Sequence, residues 1–174
     1  GDVNSAIASL RMGLADLQSL LQAAPEDPQV GRDIALTQNS LAMVMAEAGR
    51  IDAAFECLND AVATQRDLIG RYPDRDEYRS DQVLSQVNLG LLYQRRNNTD
   101  AAVTALAEAV ESQLALLERD PDNMQYLRQI ATTYNNLGGV LNDDQAAAID
   151  NFEKSIEYYR RLVDLAETPS DYNS

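Results

Sequence analysis

The sequence predicts an all-α solenoid of about seven antiparallel helices, and three observations carry that prediction. The stretch Asn88-Leu89-Gly90-Leu91-Leu92-Tyr93, followed by Ala101-Ala102 and Leu106, recurs on both sides: Leu41-Ala42 lies 48 residues before Leu89-Gly90, and Leu137-Gly138 lies 48 residues after. Pro25, Pro73 and Pro121 fall at the same spacing. Between the prolines, apolar residues recur every three and four positions, the period of a helix with one apolar side. A fixed period of this length marks a stacked array, whose units bury their apolar faces only against one another.

In the middle unit, one helical pattern runs from about Tyr78 to Gln94. Leu84, Val87, Leu91 and Leu92 form its apolar side. A turn at Arg95-Arg96-Asn97-Asn98-Thr99 follows, with Asp100 or Thr99 as the expected N-cap. The second pattern runs from Asp100 to about Glu118 through Val103, Leu106, Val110, Leu114 and Leu117. The preceding unit matches position by position, with Ala53-Ala54 for Ala101-Ala102, Leu58 for Leu106 and Gln65 for Gln113. Its turn is Ala48-Gly49-Arg50-Ile51-Asp52, where Gly49 suits a left-handed helix stop and Asp52 a cap. The pattern opens half-way through a unit, because Ala6, Leu10 and Leu14 lie 48 residues before Ala54, Leu58 and Val62. The last unit has a turn two residues shorter, at Asn142-Asp143-Asp144-Gln145, so that Ala101-Ala102 maps to Ala147-Ala148 and Leu106 to Phe152. The expected division is a single solenoid over 1–166, comprising a lone second helix at 5–24 and repeats at 25–72, 73–120 and 121–166, with a polar tail at 167–174. Gly90, Gly138 and Ala42, with Ala54, Ala102 and Ala148 on the facing helices, are read as the small residues that let the two helices of a hairpin approach. A glycine inside a helix costs about 1 kcal/mol against alanine, so close packing has to recover that.

Composition narrows the function. There are 28 acidic and 14 basic side chains, a net charge of −14. That balance argues against nucleic acid and anionic membranes as partners, and for a neutral or basic protein or peptide. No apolar run approaches a membrane span. Gly1 to Ser5 has no basic segment leading into an apolar core, so no signal peptide is read and a cytoplasmic location is expected. Cys57 stands alone, which rules out an internal disulfide, and is read as a packing residue. With no histidine, most zinc sites and histidine-based catalysis are excluded. Asp120-Pro121-Asp122-Asn123 and Asp143-Asp144 read as capped turns, lacking the alternating ligands of a calcium loop. No acidic pair comes with a second catalytic group, so neither an enzyme nor a cofactor is expected.

These residues resemble the tetratricopeptide repeat (TPR): Leu89-Gly90, Tyr93, Ala102, Leu106 and Ala109 meet its pattern. Departures are Ala42 for the glycine, Met45 and Leu141 for the tyrosine, and Gln86 at the first aromatic position. The unit is also longer than the usual 34 residues, as if both helices of each hairpin had grown by about two turns. The resemblance implies a right-handed solenoid whose first helices line a concave, peptide-holding groove. The long unit, with Tyr126-Leu127-Arg128 through Asn135-Asn136-Leu137-Gly138, is also similar to arrays that follow the kinase domain in some bacterial eukaryote-like serine/threonine kinases.

By that resemblance the groove is lined by Asn39, Ser40, Met43 and Glu47, then Val87, Asn88, Leu91, Gln94 and Arg95, then Asn135, Asn136, Gly139 and Asn142. Carboxamides at Asn88 and Asn136 can donate to and accept from a peptide main chain without reading its side chains. They can also simply hold helices together. With Arg95 the only groove cation, a lysine-rich clamp for a terminal carboxylate is not expected. Phe152, Ile156, Tyr159, Leu162 and Val163 give the last helix an apolar side with nothing after it. They are the expected seat of weak self-association, a homodimer through exposed solenoid ends. The reading is a non-catalytic protein-interaction module. The alternative is a structural spacer or oligomerisation segment of a larger protein.

Overall fold

A computed structural model describes residues 2–167. Seven α-helices account for nearly all of them: α1 (Val3–Ala23), α2 (Pro28–Glu47), α3 (Ile51–Arg71), α4 (Asp76–Arg95), α5 (Thr99–Arg119), α6 (Met124–Val140) and α7 (Gln145–Glu167). α7 runs one residue into the expected polar tail, and the rest of that tail lies outside the described residues.

Local chemistry sets the ends. Asp27 accepts from the Gln29 backbone N–H, with Pro28 as the first helical residue of α2. Asn123 accepts from Gln125 and Tyr126 at the start of α6, and Asp144 from Ala147 at the start of α7. The two acidic turns are thus caps. The middle turn differs from expectation by one residue: Asn98 caps α5 by accepting from Ala101 N–H, and Thr99 and Asp100 are already helical. Asp52 likewise lies in the first turn of α3, where its charge suits the helix dipole, and it pairs with Arg96. Gly49 at φ 74° and Asn97 at φ 55° hold the same left-handed position in successive units. Both reverse the chain within three residues.

Turns this short make consecutive helices antiparallel neighbours. Each helix packs on the next, and in addition α2 touches α4 and α4 touches α6. Among the described residues the backbones of α1, α3, α5 and α7 stay apart from one another, and where these helices meet they do so through long side chains, as Leu162 of α7 does beside Leu117 of α5. The first helices α2, α4 and α6 therefore form a tight inner layer, and the others a splayed outer one. An array so built bends toward its inner layer.

The core is a string of clusters along this stack. Ile7, Leu41, Met45, Leu58 and Leu92 pack across α1 to α4; Leu106, Val110, Leu137 and Val140 join α5 to α6; Leu117, Leu127 and Ile130 follow, with Tyr158 and Leu162 of α7 against them. Full burial of one such side chain contributes about 1.5–3 kcal/mol. Ala42, Ala54 and Ala102 are fully buried at the helix crossings. A Cβ on Gly90 would stand 2.6 Å from Leu106 Cγ, and one on Gly138 2.6 Å from the Phe152 ring. The missing side chains are what let those helices close.

α4 departs from its expected orientation. Leu84 and Leu91 do not join the core, Leu84 being 49% exposed and Leu91 half-buried, while Val87 is half-buried against the cluster of Leu106, Val110 and Leu137. The buried residues of α4 are Tyr78, Val83, Ser85, Asn88, Gly90 and Leu92. α4 packs on α2, α3, α5 and α6 and buries most of its circumference, so periodicity alone could not say which apolar stripe was inside.

Three of the helical glycines separate steric from propensity effects. Leu106 is fully buried and cannot yield, so Gly90→Ala is expected to destabilise by about 1–3 kcal/mol in urea unfolding. Phe152 is 38% exposed and can swing aside, so Gly138→Ala costs less. A Cβ on Gly31 meets Leu68 at an ordinary 3.6 Å, and Gly31→Ala should stabilise by up to ~1 kcal/mol.

Candidate functional site

The inner layer is the candidate site, and its two seams are chemically unlike. Along the α2–α4 seam three polar contacts recur at one offset. Arg32 Nε donates to Asp81 at 2.6 Å, Asn88 Nδ2 donates to Asn39 Oδ1 at 2.8 Å, and Arg95 Nη1 donates to the Ala46 carbonyl at 3.3 Å, each pair 49 residues apart in sequence. The rungs are seven residues apart on both helices, just under two turns, so they share one line of contact. Asp81, hydrogen-bonded to the guanidinium, pushes the Arg32 pKa up despite partial burial.

The α4–α6 seam has no such ladder. The same offset would pair Ser80 with Gln129 and Val87 with Asn136. Val87 offers no polar atom where Asn39 does. The polar contact across this seam is Gln94 Nε2 donating to the Gly139 carbonyl at 3.4 Å. In place of rungs there is a hollow of about 220 Å³, lined from α4 by Val83, Leu84 and Val87 and from α6 by Arg128, Gln129 and Thr133. Gln113 of α5 lies at its floor, 1% exposed.

The anticipated groove residues divide accordingly. Asn39 and Asn88 are buried and bonded to each other. Their amides join helices, with the Asn88 donor already used. Ser40 is exposed, but its hydroxyl donates to the Leu36 carbonyl at 2.9 Å. Met43, Val87 and Leu91 are half-buried and form, with Leu84, a part-exposed apolar track. Glu47, Gln94, Arg95, Asn135, Gly139 and Asn142 are exposed, and Asn136 is half-buried. Gly139 and Asn142 border a wider hollow of about 430 Å³ beside Phe152.

On α7, Phe152, Ile156, Tyr159 and Val163 are 38–57% exposed along one side with Ile149. Leu162 does not belong to that row. It turns inward against Leu117, Leu127 and Ile130 because it sits on the side of α7 that faces the core, and Val163 continues the outward row. The Tyr159 hydroxyl lies 3.2 Å from the Thr132 hydroxyl of α6, so this row borders the inner layer.

Sequence reasoning missed the buried glutamines. Gln38, Gln65, Gln86, Gln113 and Gln129 each keep a buried side-chain oxygen without a partner, and two of the five line the α4–α6 hollow. The signal was present in the recurrence of Gln65 at Gln113, noted only as a match of repeats. Burial raises the Cys57 pKa, and its sulfur sits 3.9 Å from that of Met45, as a packing residue would. Among the described residues no group of three or more His, Cys, Asp and Glu side chains is placed to hold a metal ion, and no helix is long and apolar enough to cross a membrane.

Residues 34–76 and 84–122 match the family model described as tetratricopeptide repeat. The structure is similar to the crystal structure of BtubC (BKLC) from P. vanneervenii, with a TM-score of 0.53 and 19% identity over 96% of this chain. This chain spans 60% of that protein's length. A crystal structure of MamA aligns over 90% of this chain and 92% of that one, at 14% identity and a TM-score of 0.31. No curated protein matches the chain. At these identities the likeness to BtubC shows the fold: seven helices in sequential antiparallel pairs, a TPR-like array.

The Asn39–Asn88 rung has a direct test. Asn88→Ala strands the buried Asn39 oxygen and is expected to cost about 1–3 kcal/mol in urea unfolding. The double variant with Asn39→Ala should cost less than the two single losses added together, a coupling of about 1 kcal/mol in a double-mutant cycle.

Proposed function

We infer that this array of tetratricopeptide repeats is a non-catalytic protein-interaction module that holds a peptide or partner surface along its inner layer. The observation that carries this is the part-exposed apolar side of α4, where Leu84 is 49% exposed and Val87 and Leu91 are half-buried, with the half-buried Met43 on α2. A middle helix touching four others still leaves this stripe part-exposed, and contiguous apolar surface of that kind marks an interaction site. Around it Asn135, Asn136, Gln94 and Asn142 supply donors and acceptors for a main chain, and Arg95 and Arg128 supply cations. Asn39 and Asn88 act beneath the track, fixing the seam on which it rests. With a net charge of −14 the module favours a neutral or basic partner.

The alternative, a structural spacer or oligomerisation segment of a larger protein, is favoured by a different surface. Ile156, Tyr159 and Val163 of α7 are 42–51% exposed on one side of the terminal helix, with Phe152 beside them. Such a side suits a second copy or a further helical pair of a parent protein.

Selection from a random phage-displayed peptide library separates the two. Under the first reading, peptides recovered on the array lose binding in a Leu91→Glu, Asn136→Ala variant and keep it in Ile156→Glu. Basic ones weaken as salt rises. If no peptide is recovered, or if Ile156→Glu alone removes binding and shifts the sedimentation profile, the groove reading falls and the end-face reading takes its place.

A further inference from the structure

The α4–α6 hollow has a shape and a polarity that together describe an occupant. It is too small for a typical cofactor or drug-sized ligand, whose pockets run from roughly 300 to 1,000 Å³, and about right for one large side chain. Its walls are apolar: Val83, Val87 and the half-exposed Leu84. Its polar lining holds two buried acceptors without a partner. Gln113 Nε2 donates to the Thr133 hydroxyl at 3.1 Å, and that hydroxyl donates to the Gln129 backbone carbonyl at 2.9 Å. Thr133 is thereby committed and cannot serve Gln113 Oε1. The side-chain oxygens of Gln113 and Gln129 are both buried without a partner. A buried acceptor left unmatched is costly, and a group that donates to it recovers that cost.

The preceding seam shows why the hollow exists here. At the equivalent place between α2 and α4, Gln65 Nε2 donates to the Asp81 carbonyl, and the Asp81 carboxylate is bonded to Arg32. That ion pair braces the first seam. In the second, Asp81 is replaced by Gln129 and Arg32 by Ser80, so nothing charged spans the gap. Arg128 is left at the rim, exposed.

We propose that this hollow is a side-chain subsite for an aromatic residue carrying a hydrogen-bond donor, tryptophan above all, presented by the peptide that lies along the inner layer. An indole is large, flat and apolar, and its one polar atom is a donor with no acceptor. It fills the apolar walls, offers its N–H to one of the orphaned carbonyls, and presents a face to the Arg128 guanidinium. Phenylalanine fills the same space and leaves both oxygens stranded. As a subsite for a groove peptide, the proposal rests on the groove reading above, but the hollow's preference is measurable without any groove peptide.

The chain contains no tryptophan, so indole emission reports on the ligand alone. N-acetyl-tryptophanamide titrated against the array should show a saturable blue shift. Its 1-methyl derivative, with the same ring and no N–H donor, should bind about tenfold more weakly. Leu84→Glu, a change at a half-exposed position with helix content preserved by circular dichroism, should abolish the shift. Peptides selected on the wild-type array should be enriched in tryptophan at one position, and those selected on Leu84→Glu should not. The subsite is overturned by an unsaturable titration, by equal binding of the methylated probe, or by a shift that survives Leu84→Glu. Selected peptides that need Leu91 but ignore Leu84 would leave the groove reading standing and remove the subsite. A saturable, Leu84-dependent shift with no peptide recovered would remove the groove reading and leave the subsite.

Discussion

Close approach of paired helices is the constraint on which this array depends. Gly90 and Gly138 admit the Leu106 and Phe152 side chains into space a methyl group would occupy, and Ala42, Ala54 and Ala102 are buried at the same crossings. Each glycine weakens its own helix, and only contact with the partner helix offsets that. Each hairpin is too thin to enclose a core alone. The apolar clusters therefore run from pair to pair, and the stability of one unit is shared with its neighbours.

That sharing fixes which surface is left open. The inner helix α4 touches α3 before it, its hairpin mate α5 after it and the inner helices α2 and α6 on either side. Its exposed residues are Leu84 and, at the C-terminal end, Gln94 and Arg95. The two seams beside α4 then differ by a few side chains. Arg32, Asp81, Asn39 and Asn88 close the first with ionic and amide rungs. Ser80, Gln129, Val87 and Asn136 cannot do the same at the second, and a hollow results.

Much of the fold was legible because it is written in local chemistry. Proline spacing, the left-handed positions at Gly49 and Asn97, and caps such as Asn123 and Asp144 all act within a few residues, so a reading along the chain can find them. The small residues at helix crossings were legible because they recur with the period. The inner layer was harder. Leu84, Val87, Leu91 and Leu92 share helical spacing, yet only Leu92 is fully in the core, because which stripe faces inward depends on neighbours distant in sequence. Asn88 is read from the sequence either as a peptide-binding amide or as one that holds helices together, and its partner Asn39 is an offset of 49 away, one residue more than the repeat. That single residue of slip comes from the way adjacent inner helices lie against each other. It cannot be deduced from the period itself. Leu162 leaves the outward row for the same reason, while Val163 keeps its place in it.

The wide backbone spacing of α1, α3, α5 and α7 has a mechanical side. A stack joined closely along one edge and loosely along the other behaves like a hand fan. Small rotations at the joined edge add up to larger excursions at the loose one, where side-chain contacts such as Leu162 beside Leu117 have only to slide. The braced seam between α2 and α4 resists such rotation, while the unbraced one beside α6 yields first, so opening and closing of the fan concentrates at a single fold.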